Sequence, residues 1–297
     1  MKHALIGIFV VTTISCAVAA EPEVRSTNRV DRNRGPEPLT VMTWNLEWFF
    51  DNEAGDNYSD LAKEKTAPSR GQWDWKRDTV AQSIADSRPS ILALQEVENR
   101  RVLWYLTRAL SRNHKLEYHE LAFESRDHFT EQDVGFLYRP PVESLTAMQG
   151  MYPKHLRSTN QYFDLSKHIR GVFEYRHGDI SETITVLNIH FRARPEAADK
   201  RLRQARLLHH WIAAAVRRGQ NVIALGDFNT EFNGDRLFKG SEIGIACGLE
   251  TPETDDDLVD LHLRLPASDR GTHLMGGQYD RILCSRPADG QRNQPRH

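Results

Sequence analysis

The stretch Asn221-Val222-Ile223-Ala224-Leu225-Gly226-Asp227-Phe228-Asn229 is an apolar run that stops at a glycine and delivers an acid and an amide. A short apolar run bounded by turn formers reads as a strand buried on both faces. Three runs upstream have the same form. Residues 39–43 lead into Trp44-Asn45, residues 90–94 into Gln95-Glu96, and residues 184–189 into His190. Asn45, Glu96, His190 and the Asp227/Asn229 pair therefore each stand just past a strand. Strands of one packed sandwich can bring such ends to one cleft, and their rigidity holds loop residues in place, as a reacting site requires.

Outward from these runs, helices and strands are interleaved. Residues 74–87 predict a helix with Val80 and Ile84 on one face, closed by Pro89. Residues 101–110 predict another, with Val102, Leu103, Leu106 and Leu110 in one stripe. Residues 196–218 predict the longest, with Leu202, Ala205, Leu208 and Ile212 in register and Gly219 ending it. Further strands are expected at 117–123, 134–138, 172–176 and 278–284. Residues 51–72 and the region around acidic 253–257 read as polar loops, and 140–168 has no clean period. Some strands follow one another with no helix between them. The order thus predicts an α/β (α+β) fold of mixed sheets flanked by helices, not one parallel sheet.

The first twenty residues read as a signal peptide: Lys2 and His3, an apolar stretch over residues 4–17, then Ala17-Val18-Ala19 as small residues for cleavage. The stretch is short for a membrane anchor, and Thr13-Ile14-Ser15 is a poor lipobox for acylation at Cys16. A secreted or periplasmic location is expected, with the lipoprotein as the alternative. No other segment suits a transmembrane span. Residues 21–38 read as a flexible lead-in, 39–285 as one domain and 286–297 as a polar tail. The 297 residues carry 39 basic and 41 acidic groups, a net charge of −2. That balance argues against a protein that coats polyanions, although a local basic face can still bind nucleic acid. Six Trp and twelve Phe exclude a disordered chain. Cys247 and Cys284 remain after leader removal, either bridged or as two free, buried thiols.

The polar set at the strand ends has a definite chemistry. Glu96 and Asp227 offer hard carboxylate oxygens, and Asn45 and Asn229 offer amide oxygens. Such ligands suit Mg²⁺, with Mn²⁺ or Ca²⁺ as alternatives, and not zinc. His190 can hydrogen-bond a phosphate oxygen or leaving group, and Asp227 can orient a water. Each residue has a plainer reading as a turn former or helix cap. The recurrence of acid and amide at successive strand ends weighs against all of those readings at once.

These segments resemble, in order, the motifs of the endonuclease/exonuclease/phosphatase superfamily: Val41-Met42-Thr43-Trp44-Asn45-Leu46-Glu47, Leu92-Ala93-Leu94-Gln95-Glu96-Val97, Asn188-Ile189-His190-Phe191-Arg192-Ala193-Arg194, Leu225-Gly226-Asp227-Phe228-Asn229 and Tyr279-Asp280-Arg281-Ile282. The resemblance implies a deoxyribonuclease I-like four-layer sandwich of two packed sheets and a metal-dependent phosphoesterase. It implies Glu96 as principal metal ligand with Asn45 beside it, His190 on the scissile phosphate and Asp227 on the attacking water. Asn229 would steady phosphate or metal, Arg192 would contact phosphate, and Asp280 would orient a second histidine. The family's closing Ser-Asp-His is absent from residues 285–297. A truncated reading, a weakened enzyme or a fold kept for binding would each account for that, and the change of composition at Arg286 favours the first. Nucleic acid is the favoured substrate, a phosphorylated small molecule or a sphingomyelin-like lipid is the alternative, and a monomer is expected. Tyr58, Trp73, Trp75 and Arg126 are candidates to line a groove, with core or solvent roles as their plainer readings.

Overall fold

Alternation of side chains along each strand decides the layering. The computed structural model describes residues 12–13, 38–231 and 234–286. The expected leader and lead-in, apart from Thr12, Thr13 and Pro38, lie outside these residues, as does the tail beyond Arg286. The first sheet runs in the order β1-β2-β3-β5-β4. Its strands are β1 (Thr12–Thr13), β2 (Thr40–Phe49), β3 (Ile91–Val97), β4 (His119–Phe123) and β5 (Asp133–Tyr138). The second runs β10-β11-β9-β8-β7-β6. It holds β6 (Val142–Met148), β7 (Lys167–His177), β8 (Ile180–His190), β9 (Asn221–Asp227), β10 (Leu258–Asp260) and β11 (Asp280–Ser285). Pairs β2–β3 and β8–β9 are parallel and the other pairs antiparallel, so both sheets are mixed, as the element order predicts.

Val41, Ile91, Ala93, Val134 and Phe136 of the first sheet face Ile169, Phe173, Val186, Ile223, Leu225 and Ile282 of the second. The intervening residues point outward. Met42, Leu92 and Leu94 pack beneath Val80, Ile84, Val102 and Leu106 of helices α2 (Arg70–Ser87) and α3 (Arg100–Ala109). Leu187, Ile189, Val222 and Ala224 pack beneath Leu208 and Ile212 of α5 (Ala198–Val216) and Ile243 of α6 (Glu242–Ala246). The result is four layers: helices, sheet, sheet, helices. Strands buried on both faces must be apolar throughout, which is why β3 opens with Ile91-Leu92-Ala93-Leu94. Each fully buried leucine contributes about 1.5–3 kcal/mol.

The structure extends several expected elements. Helix α2 begins a turn early because Ser69 caps it, its hydroxyl accepting from the Gln72 N–H. The polar 51–72 loop contains α1 (Asp60–Lys65), and the aperiodic 140–168 stretch contains β6 and α4 (Lys154–Arg157). Strand β6 is an edge strand with exposed Glu143 and Leu145, so hydrophobic periodicity does not mark it. Both cysteines are free thiols. Trp73 belongs to the core, packed against Phe49 with ring centroids 5.0 Å apart, and not to a groove. Among the described residues no helix is long and apolar enough to cross a membrane.

Candidate functional site

Two backbone irregularities aim the site. β3 carries a register shift between Gln95 and Val97, and Glu96 sits within it at φ 58°. A left-handed non-glycine residue costs about 1 kcal/mol or more and is held by its surroundings. The bulge turns Glu96 out of the ladder toward the sheet end. On β9, Gly226 has φ 133°, and a Cβ there would lie 2.0 Å from the Ile189 carbonyl oxygen. Only glycine lets β9 approach β8 this closely, and that approach sets Asp227 opposite His190 in the parallel ladder.

Beneath the site, Gln95 donates from Nε2 to Asn188 Oδ1 (2.7 Å) and Thr43 Oγ1 (3.1 Å). Asn188 donates to the Leu94 and Gly135 carbonyls at 3.1 and 2.8 Å. All three side chains are buried, and their network joins the two sheets. The glutamine before Glu96 and the asparagine before Ile189-His190 thus lock the registry of the halves that carry the site.

The strand ends converge. Asn45 Nδ2 donates to Glu96 Oε1 (3.0 Å) and Asp227 Oδ2 (2.8 Å), the latter 182 positions along the chain. His190 Nε2 lies 3.8 Å from Glu96 Oε1 and 3.9 Å from Asp227 Oδ2. Donor atoms of Glu96, His190 and Asp227 all fall within 4.8 Å of one another. Asp280 stands opposite Asp227 in the β9–β11 ladder. Asn229, at φ 48°, donates its N–H to Asp227 Oδ1 (2.7 Å) and its Nδ2 to the Phe191 carbonyl (3.1 Å). Of the expected residues, Asn45, Glu96, His190, Asp227, Asn229 and Asp280 meet here. Arg192 is exposed on the following loop, its N–H donating to Gln204 Oε1 at 3.0 Å.

The orientation of the Asn45 side chain is something the sequence does not give. The Asn45 side-chain Oδ1 accepts the Glu47 N–H at 2.9 Å, while its Nδ2 amino group faces the carboxylates. Asn45 stands in this structure as the donor that joins Glu96 to Asp227. Sequence reading also missed a buried support. Glu96 Oε2 accepts from Trp48 N–H (3.1 Å) and Gln132 Nε2 (2.6 Å). Gln132 Oε1 accepts from Lys167 Nζ (2.8 Å), and Lys167 pairs with Asp127 at 3.1 Å. Lys167 opens β7 opposite His190, a placement that only strand pairing reveals.

The electrostatics are those of a site short of positive charge. Burial raises the pKa of Glu96 and of Asp227, and the Asn45 hydrogen bond opposes it at both. Burial and then the Asp227 charge push Asp280 well above the carboxylate range. Burial holds His190 well below the usual imidazole value, so the ring is neutral. Asp280 Oδ1 and His190 Nδ1 are occluded with no partner among the described residues. Crowded carboxylates beside a neutral imidazole, with occluded polar atoms among them, form a donor set that fits a hard divalent cation.

The family model for the endonuclease/exonuclease/phosphatase family matches residues 42–293. Solved structures share the fold at low identity. An endonuclease/exonuclease/phosphatase family protein from Bacteroides thetaiotaomicron is 15% identical over 85% of this chain and 84% of that one, with TM-score 0.53. The catalytic domain of human Nocturnin with bound sulfate anion is 16% identical over 82% of each chain, with TM-score 0.51. A protein of the same family from Bacteroides vulgatus is 18% identical over 82% and 86%, with TM-score 0.50. No curated protein matches the sequence.

Proposed function

The chain belongs to the endonuclease/exonuclease/phosphatase family, and on that premise we propose that it is an exported, metal-dependent phosphodiesterase acting on nucleic acid. The observation that carries this reading is the convergence of Glu96, His190 and Asp227 on one point at the sheet ends. Glu96 and Asp227 would hold the divalent ion. When bound, that ion supplies charge neutralisation on the phosphoryl oxygens. Asp227, fixed by Asn45 on one oxygen and the Asn229 N–H on the other, orients water and takes its proton as the water attacks phosphorus; the P–O bond to the leaving group breaks in line, and the departing oxygen is protonated by solvent. The neutral His190 donates a hydrogen bond to a phosphoryl oxygen. Asp280 adds a third carboxylate beside Asp227.

Two exposed aromatics near this rim support a nucleic-acid substrate. Tyr58 is 89% exposed and Phe129 66%. The Tyr58 N–H donates to Glu131 at 3.0 Å, and Phe129 and Glu131 lie on the loop leading to Gln132, which holds Glu96. Unstacked bases pack on such side chains. The leader sequence supports export, and its cleavage after residue 20 is checked by N-terminal sequencing of the protein released from cells. The main test compares wild type and Glu96→Ala with Mg²⁺ on DNA, RNA, sphingomyelin and inositol phosphates. Cleavage of DNA or RNA that disappears in the variant supports the proposal. Equal turnover by both proteins, or turnover of the lipid or monoester alone, overturns it.

A further inference from the structure

Beside the site, at the same end of the second sheet, lies a cavity of about 410 Å³ walled by arginines and aromatic rings. Its size falls among small-ligand sites, which run from about 300 to 1,000 Å³. Its arginines are set in place by the chain. The Arg157 guanidinium lies over the Tyr152 ring at 5.2 Å, and its Nε donates to the Tyr152 carbonyl at 2.8 Å. Arg203 of α5 lies over Phe163 at 5.4 Å, its Nη2 donates to the Tyr162 carbonyl at 3.2 Å, and its Nη1 pairs with the exposed Asp199 at 3.3 Å, a contact open to solvent that a phosphate would replace. Its Nε is occluded with no partner among the described residues. Arg126 pairs with Asp164 at 2.7 Å.

The cavity is wired to the site. Arg126 precedes Asp127, whose ion pair with Lys167 leads through Gln132 to Glu96. From the other side, Gln204 accepts the Arg192 N–H, two residues past His190, and donates to the Asp164 carbonyl at 2.8 Å. Arg157 is anchored by a carbonyl instead of a carboxylate, so its charge stays available to a ligand. Aromatic faces beside fixed guanidinium groups match a base with its phosphate: the rings stack, and arginine forks the anion.

Resting on the nucleic-acid phosphodiesterase reading above, we propose that this cavity holds a nucleotide of the substrate strand away from the bond being cut, its phosphate on Arg157 and Arg203 and its base against the aromatic wall. The site then selects a polymer over a small diester.

The test uses the full chain and a fluorescein-labelled single-stranded DNA of about 12 nucleotides. Binding is read by anisotropy in EDTA between about 50 and 200 mM salt. Arg157→Gln with Arg203→Gln is expected to weaken binding about tenfold and to flatten the log–log salt slope by about 0.7, one phosphate's worth. Hydrolysis of bis(p-nitrophenyl) phosphate stays at the wild-type rate, and KM for the oligonucleotide rises. Should the double variant misfold by circular dichroism, Arg157→Gln alone, at an exposed position, is read for about half the slope change. Unchanged affinity and slope in a folded variant overturn the proposal, as does a wild type that does not bind the strand. A wild type that binds through these arginines but cleaves nothing refutes the catalytic reading and leaves the cavity assignment standing.

Discussion

Among the described residues, two places bring ligand atoms of three acidic or imidazole side chains within 4.8 Å of one another: Glu96, His190 and Asp227, and Asp51, Asp56 and Glu98. They differ in where the opposing charge comes from. In the second group Arg101 Nη2 donates to Asp51 Oδ2 (2.9 Å) and to Asp56. Glu98 accepts from the Asp51 N–H and from Asn57 Nδ2, both at 2.9 Å. That group carries its own cation and ties the turn after β2 to the start of α3. In the first group the bridging donor is the neutral Asn45 amide, and Lys167 is already paired with Asp127. Lys76, whose charge also reaches Glu96, is held by the Glu47 and Trp48 carbonyls at 2.7 Å and lowered by burial to about 8. The number of carboxylates does not separate a latch from a reacting centre; the position of the neutralising charge does.

The sharpest way to break the comparison is to remove one carboxylate from each group. Asp227→Asn is expected to lower diester hydrolysis about a thousandfold or more with the fold intact. Glu98→Gln is expected to leave kcat within a few-fold of wild type. Steady-state rates with Mg²⁺ decide it, and similar losses in both would erase the distinction.

A cation titration comes next. Mn²⁺ at about a hundredfold excess over Kd stabilises a binding protein by about 2.7 kcal/mol. Wild type and Glu98→Gln are expected to show this rise in thermal unfolding. Glu96→Gln with Asp227→Asn is expected to lose it. A rise that tracks Glu98 instead would move the metal site to the other group.

Arg101→Ala tests the latch from its own side. Asp51 is 2% exposed while the Arg101 side chain is 41% exposed, so solvent screens part of the pair. A loss of about 2 kcal/mol is expected, because Asp51 is left buried and uncompensated. Urea unfolding measures the loss, and unchanged kcat confirms that the latch stands apart from the chemistry.

The smallest effect concerns Asp133, a buried carboxyl outside both groups that burial raises to about 8. Its Oδ1 accepts the Ser125 N–H at 2.7 Å, and Oδ2 has no partner among the described residues. In the folded protein it keeps its proton up to about pH 8, whereas unfolded it ionises near pH 4. Its contribution to stability is therefore complete below pH 4 and falls as pH rises from 4 to 8. Asp133→Asn removes that slope, so its melting temperature should exceed wild type at pH 8 and approach it at pH 5. Parallel pH profiles for the two proteins would show that this carboxyl does not titrate as its burial implies.

Legibility followed the physics of each element. Strands buried on both faces announce themselves as apolar runs, so β3 and β9 stood out with the polar residues at their ends. Strand β6 and the short α4 and α6 were hidden, the first exposed at an edge and the others too short to develop a period. Among site residues, Glu96, His190 and Asp227 were readable because each follows such a run. Lys167 and Gln132 were not, because they lie in stretches with no periodic signal and matter only through register.

By itself the sequence determined which strands are buried on both faces and the acid, amide and imidazole set that follows their apolar runs, although β2 and β3 continue past those runs to Phe49 and Val97. These are local properties of patterning and glycine placement. The tertiary structure decided what no local pattern encodes: that Asn45 turns its amino group to the carboxylates, that Lys167 sits across the ladder from His190, and that one acidic group meets an arginine while the other does not. Charge balance in a site depends on residues brought together from distant parts of the chain, and only packing of the two sheets sets those neighbours.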